Sequence, residues 1–245
     1  MTYDMVLITA TRMEQQVVFE TLCPTTVEET VGRRWATGKR DGRRIRLVET
    51  GVGTVNTAHA LTRLMETAPP TCVLQFGVGG AYPDTGLSVG DIAVANGEHY
   101  GDTGVMTPQG WRGMDFIGFP LLEKETKYFN GFPVDIARST AAFRLLTETV
   151  WDAPAPRVAQ GTFVTVQQCS GVEVVGRRIA ERFRGICENM EGAAAAHICA
   201  LYCVSFVEVR AISNLVEDRD FARWNLPLAI RRAQTAALIL MESLP

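Results

Sequence analysis

At 245 residues, with 47% hydrophobic and 21% charged side chains, the chain has the size of one large α/β domain and the apolar material for a full core. A formal net charge of −3 argues against a nucleic-acid surface, and the short, interrupted arginine-rich stretch at 33–46 reads as a solvated hairpin. No segment approaches the roughly 18 to 20 apolar residues that cross a bilayer, and Asp4 stands where a secretory leader would be basic, so the expected location is cytoplasmic, with no membrane partner.

In chain order, apolar strand-like runs are expected at 5–10, 45–49, 72–76, 91–95, 161–166 and 204–212, and helical patterns at 14–22, 55–66, 139–150, 173–184, 191–203 and 226–242. Strands alternating with helices predict an α/β fold. It is expected as one three-layer domain over 1–245, its central mixed, largely parallel twisted sheet flanked by helices. The least regular stretch, 98–133, carries Trp111, Phe116, Phe119, Tyr128, Phe129 and Phe132 among glycines and prolines. So long and aromatic a connection marks a binding element or an interface.

Six cysteines include no Cys-x-x-Cys pair, and His59, His99 and His197 have no metal-spaced partners, so neither a disulfide framework nor a metal site is expected. His197, within an alanine-rich helix, reads as a satisfied core histidine, and no Gly-x-Ser-x-Gly elbow supports a serine hydrolase.

Two placements are not explained by packing. Along the last strand the period of two sends Phe206, Glu208, Arg210, Ile212 and Asn214 to one face, so a cation and an amide share a side of a mostly apolar strand. An unpaired buried charge costs several kcal/mol, roughly, so Arg210 must pair with Glu208 or with a group in a cleft. The helix at 191–203 is small or apolar all round apart from Glu191 at its start. There the helix dipole alone is a sufficient reason for a carboxylate, and Glu14, also at a helix start, has the same plain reading.

Ligands of open α/β sheets gather beyond the carboxyl ends of strands. Four sets are expected there: Glu14 after the first strand, Gly51 to Gly53 after the second, the glycine loop of Gly77, Val78, Gly79 and Gly80 after the third, and Asn214 after the last. Neither glycine set completes a dinucleotide fingerprint, because Asn56 and Tyr82 stand where a third glycine would fall. What they permit is a close approach of backbone N–H groups to a ligand.

In order, Ala10 to Glu14, Gly51 to Asn56, Gly77 to Gly80, Val89 to Asp91, Asn189 to Ala193 and Val209 to Asn214 resemble the nucleoside phosphorylase and nucleosidase superfamily over almost the whole chain. Met190 and Glu191 followed by Arg210, Ala211, Ile212 and Ser213 look like the methylthioadenosine nucleosidase branch. Gly101 to Val105 leading into Gly118 to Pro120, Tyr128 to Pro133, and Asn214 followed by Asp218, Arg219 and Trp224 are similar to the futalosine hydrolase branch, which serves menaquinone biosynthesis.

The resemblance implies a nucleoside phosphorylase-like fold, a small-molecule nucleoside substrate, no metal or organic cofactor, and a homodimer or higher homo-oligomer. It further implies that Glu191 binds the ribose hydroxyls above Met190, that Glu14 deprotonates the attacking water, that Arg210 orients it, and that Asn214 faces N7 and O6 of the purine. Gly77, Val78 and Gly79 would line the site, Cys169 and Ser170 would stand where the nucleosidases place a stacking aromatic, and Arg219, Trp224 and Arg112 would receive the 5′ substituent. Adenine-cleaving nucleosidases carry an aspartate where this chain has Asn214. An amide suits a 6-oxopurine, because its NH₂ donates to O6 while its carbonyl accepts from a protonated N7. Phosphorylases of the superfamily carry a hydroxyl in the third-strand glycine segment, whereas Gly77 and Val78 offer none, which implies water as nucleophile. Arg43, Arg44 and Arg46 stay open as phosphate ligands.

Overall fold

The computed structural model describes residues 2–244. Strand β1 (Tyr3–Thr9) leads through a 3-10 turn (Met13–Gln15) into helix α1 (Gln16–Leu22), then β2 (Thr26–Thr30), β3 (Arg33–Arg40) and β4 (Arg43–Glu49). Helix α2 (Thr54–Thr67) returns the chain to the 12-residue strand β5 (Pro70–Ala81), which is followed by β6 (Ile92–Tyr100). The aromatic stretch is built of short pieces: β7 (Val105–Thr107), β8 (Gly110–Arg112), α3 (Met114–Ile117), β9 (Leu122–Glu123), β10 (Lys127–Tyr128) and β11 (Gly131–Phe132). Helix α4 (Ile136–Glu148), β12 (Val158–Thr165), α5 (Glu173–Phe183), β13 (Gly185–Asn189), α6 (Gly192–Tyr202), β14 (Ser205–Leu215) and α7 (Leu226–Ser243) complete the order.

Strand β5 organises the sheet. β1 and β14 run parallel to it and β13 antiparallel. β14 also pairs with β6, and β6 connects through β12 and β13 back to β5. Five strands therefore close on themselves as a small barrel, which strand alternation had not suggested, while β1, β4, β3 and β2 extend as an open wing.

Alternation sorts the side chains into two cores. Val6 and Ile8 of β1 and Phe206 and Ile212 of β14 pack with α2 and α6. Met5 and Leu7, and Val207, Val209 and Ala211, pack on the other side with α1, α4 and α7. Helices thus cover a mixed, largely parallel sheet on both faces.

Three expectations are corrected. Gly77 to Gly80 do not form a loop after the third strand; they lie inside β5, whose hydrogen bonding to β14 continues through them. Asn214 likewise lies within β14, and a bulge between Ile212 and Asn214 breaks the alternation that was to carry Arg210 and Asn214 on one face. The arginine-rich stretch is a hairpin, β3 against β4, but it is not simply solvated, because Trp35, Ala36 and Ile45 are buried in the core. The strands β2 and β13 were not anticipated.

Candidate active site

A cavity of about 290 Å³ opens at the carboxyl ends of β1, β5 and β14. Of the residues singled out from the sequence, Glu14, Val78, Gly79, Cys169, Ser170, Met190, Glu191, Arg210, Asn214, Arg219 and Trp224 line it. Gly77 stands directly behind: a Cβ there would lie 2.5 Å from Glu14 Oε1 and 3.2 Å from Arg210 Nη1. The missing side chain is what lets both groups close onto β5. Arg112 is elsewhere. Its guanidinium lies 4.3 Å over the Phe116 ring and lines a separate crevice with His99 and Trp111, and no residue of 98–133 lines the main cavity within the chain.

The plain reading of Glu191 as a helix-start acid does not hold. It occupies the N-cap position of α6 yet makes no capping bond. Asn189 Oδ1 accepts from the backbone N–H groups of Glu191 and Gly192, and Thr165 Oγ1 accepts from that of Ala193. The helix start being satisfied by others, the Glu191 carboxylate is free to accept from the Gly53 N–H at 2.9 Å and to meet Arg210 Nη2 at 3.3 Å. Gly53 adopts φ +91°, a conformation that glycine takes without strain, and this is how the loop after β4 presents its N–H there.

Glu14 likewise caps nothing in α1. Its Oε2 accepts from the N–H and hydroxyl of Thr11, and its Oε1 accepts from the Val78 N–H at 3.0 Å. Burial pushes its carboxyl above the ordinary glutamate range, opposed by Arg210 and by the Thr11 and Val78 hydrogen bonds. A carboxylate with a raised pKa at a cavity wall has the properties of a general base.

Arg210, 2% exposed, takes both of the pairings open to it from sequence. Its Nε donates to Glu208 at 2.8 Å, Nη2 faces Glu191, and Nη1 donates to the Val78 carbonyl at 3.1 Å. Although burial opposes the charge, Glu208, Glu191 and Glu14 together hold the guanidinium protonated above its usual range. Arg43, Arg44 and Arg46 are at the other end of the sheet: they bind the carboxyl-terminal helix carbonyls, Asp4 and Thr2, and Tyr3 and Glu28 respectively.

At the far end of the cavity the bulge at Ser213 turns both Ser213 and Asn214 to the lining. Ser213 Oγ donates to Asn214 Oδ1 at 2.8 Å, and Asn214 Nδ2 donates to the Leu215 carbonyl. Glu188 shares this end and was missed, because β13 is short and two of its five residues are polar. Its one sequence signal was a carboxylate immediately before the Asn189, Met190, Glu191 run. Arg219 stacks over Trp224 at 4.8 Å and Phe221 at 5.0 Å beside the cavity.

The sequence profile of the Phosphorylase superfamily matches residues 4–242. The chain is 35% identical over 184 residues to futalosine hydrolase of Thermus thermophilus, covering 75% of each. It is 28% identical over 220 residues to the 5′-methylthioadenosine/S-adenosylhomocysteine nucleosidase of Mycobacterium bovis, covering 85% of this chain and 84% of that one. The fold superposes on the Neisseria meningitidis nucleosidase of the same name, solved with methylthio-immucillin-A, with a TM-score of 0.81 at 22% identity over 98% and 99% of the two chains. With the profile spanning nearly its whole length, the chain belongs to the phosphorylase superfamily.

Proposed function

We propose that this N-glycosyl hydrolase cleaves a 6-oxopurine nucleoside, futalosine, to release hypoxanthine. One observation carries the base preference: the polar side chain offered by β14 at the far end of the cavity is the amide of Asn214, not a carboxylic acid. The futalosine hydrolase relative supports the 5′ substituent.

The chemistry follows from the charge arrangement. As the C1′–N9 bond breaks, its electron pair passes to the base, and N7 takes up a proton from solvent water, the resulting N–H donating to the Asn214 carbonyl. The ribose becomes oxocarbenium-like, and the Glu191 carboxylate, fixed by Gly53 and Arg210, stabilises it through the hydroxyls. Water adds to C1′ and gives its proton to Glu14. The exposed apolar side chains Met106, Phe116 and Phe119 suit a second copy of the chain closing the 5′ side, and Arg219 is the cavity cation for an acidic tail. Arg112 could serve only from a partner subunit.

A second reading, cleavage of methylthioadenosine, is favoured by the Mycobacterium bovis relative and opposed by Asn214. Futalosine, inosine and methylthioadenosine incubated separately, with and without phosphate, and resolved by chromatography separate the two. Hypoxanthine released from futalosine at a phosphate-independent rate is expected; adenine as the favoured product, or ribose 1-phosphate, would overturn the proposal.

A further inference from the structure

We infer that the cavity between the β7–β8 hairpin and helix α5 is a second binding site, for a small organic anion with an apolar body, and that Arg178 and Arg182 receive its charge. The site stands apart from the active-site cavity and does not depend on the substrate reading above.

Helix α5 carries Arg177, Arg178 and Arg182, and it treats them differently. Arg177 is matched: its guanidinium meets Glu173 on the same helix and Asp84 before it in the chain. Arg178 and Arg182 make no hydrogen bond or ion pair among the described residues, although Glu181 lies between them in sequence. One turn apart, they stand on the same side of the helix, where like charges weaken it. The Arg182 guanidinium lies 4.1 Å over the Trp111 ring, and burial pulls its pKa below the ordinary arginine range, opposed by Tyr82. Trp111 Nε1, which can only donate, is buried without a partner among the described residues. Two unmatched cations and an unmatched donor at one place call for an anionic acceptor that the chain does not supply.

The space beside them has the size and the walls for a ligand. Trp111, Val166, Val172, Val175 and Ile179 line a cavity of about 920 Å³ together with both arginines. Val172 and Val175 are 50% and 43% exposed, so apolar surface stands open next to the unmatched charges. Asp102, the carboxylate on this lining, accepts from the Gln167 N–H and makes no ion pair with either arginine. An inorganic anion would match the charges and leave the valines wet; a neutral apolar molecule would do the reverse. A carboxylate on a hydrocarbon body meets both, by charge-assisted hydrogen bonds at one end and covered apolar area at the other. Cys169 and Ser170 line this cavity and the active-site cavity alike, and Glu188 holds Ser170 from the active-site side. The two spaces are therefore neighbours across one wall. Arginines that only solvated the helix would show no preference among ligands.

The test is calorimetric titration of the wild-type protein, Arg178→Gln, Arg182→Gln and Arg219→Ala with hexanoate, hexanamide and inorganic phosphate. Loss of a charge-assisted hydrogen bond corresponds to a factor of about 10 to 100. Wild type should bind hexanoate saturably, and at least about tenfold more tightly than hexanamide or phosphate. Arg178→Gln and Arg182→Gln should each weaken hexanoate by about 10- to 100-fold, while Arg219→Ala, in the active-site cavity, should change it by less than about threefold. The three-ligand comparison on wild type needs no variant, so a misfolded variant leaves the question answerable. Absence of saturable hexanoate binding, or equal binding of hexanamide or phosphate, overturns the proposal. Binding lost in Arg219→Ala and kept in both folded α5 variants places the anion in the active-site cavity and overturns it too. No arm measures cleavage, so each of these failures leaves the substrate reading untouched.

Discussion

Arg210 stands between two pairs of buried carboxyl groups. Glu14 and Glu191, 5% and 4% exposed, face the cavity; Glu98 and Glu208, both 0% exposed, face the protein interior behind Gly192. Burial hardly distinguishes the pairs, so it cannot be what makes one of them a site. The difference lies in their partners. Glu14 and Glu191 are held apart, each by backbone N–H groups and by the charge of Arg210, which leaves their remaining lone pairs to the cavity. Glu98 and Glu208 meet in the space that a Gly192 side chain would fill. Glu98 accepts from Asn189 Nδ2 and Thr165 Oγ1, yet burial and then the neighbouring Glu208 push its carboxyl well above the ordinary range. Two adjacent carboxylates in a dry interior cannot both be charged; burial raises the Glu208 carboxyl as well, but Arg210 and the hydrogen bond with Glu98 oppose that shift, so of the two Glu98 is the group that favours its proton. A buried acid becomes chemical equipment where a cavity lies in front of it, and a support where another acid does.

The support side can be broken first. Glu208→Ala removes the inner anion from a buried guanidinium, and breaking such a pair typically costs about 3–5 kcal/mol. Denaturant midpoints should register a loss of that order, with activity falling alongside; a change under about 1 kcal/mol would mean that Glu191 and Val78 alone secure Arg210.

On the cavity side the loss should be catalytic. Glu14→Gln and Glu191→Gln are each expected to lower turnover by at least about 10²-fold with the circular dichroism spectrum unchanged. For Glu14 the pH profile adds a sign. In its proposed role as general base Glu14 works ionised, and burial raises its pKa, so kcat/KM should fall as pH drops through a value above the 4.5 of an ordinary glutamate. Near-normal turnover, or an acid limb at or below that value, would return Glu14 to a supporting role.

This division was only half visible in the sequence. Glu191 and Asn214 stood out because their neighbours are apolar, and the sheet was legible because β1, β5 and β14 are apolar runs with helical patterns between them. Gly77 to Gly80 were mistaken for a loop because glycine usually ends strands; here the strand needs them, since Glu14 and Asn214 press against positions 77 and 80. Glu188 was hidden in a five-residue strand with no clean alternation. The pairing of Glu98 with Glu208 joins positions far apart in the chain, and a local period carries no information about such a contact. The barrel closure through β14 and β6 was hidden for the same reason.

A smaller effect sharpens the comparison at the base end. Asn214→Asp supplies an acid that can donate to N7 and accept from a 6-amino group, so cleavage of adenine nucleosides relative to hypoxanthine ones should rise by about tenfold or more. Parallel rate measurements on adenosine and inosine decide it by the direction of the ratio. If adenine cleavage stays absent while hypoxanthine cleavage is undiminished, Asn214 does not read the base.

The smallest effect tests the proton on Glu98 directly. Its folded pKa lies above the unfolded value, so between the two the native state holds a proton that the unfolded chain has released. By linkage, the stability this group contributes is fully present below about pH 4.5, the ordinary glutamate value, and is lost as pH rises through the folded pKa, at up to about 1.4 kcal/mol per pH unit. Glutamine copies the protonated acid: its amide donates to Glu208 while its carbonyl accepts from Asn189 or Thr165. Glu98→Gln should therefore fold, keep turnover within about threefold at neutral pH, and show a flatter decline of stability above about pH 4.5 than the wild type. Chemical denaturation at several pH values measures the slope. The same substitution in Glu14 removes the proposed base, so equal damage from Glu98→Gln and Glu14→Gln would erase the distinction between the two pairs. A wild-type slope that is flat, or a variant slope that is unchanged, would show instead that Glu98 is charged and that Arg210 is balanced by more anions than Glu208, Glu191 and Glu14.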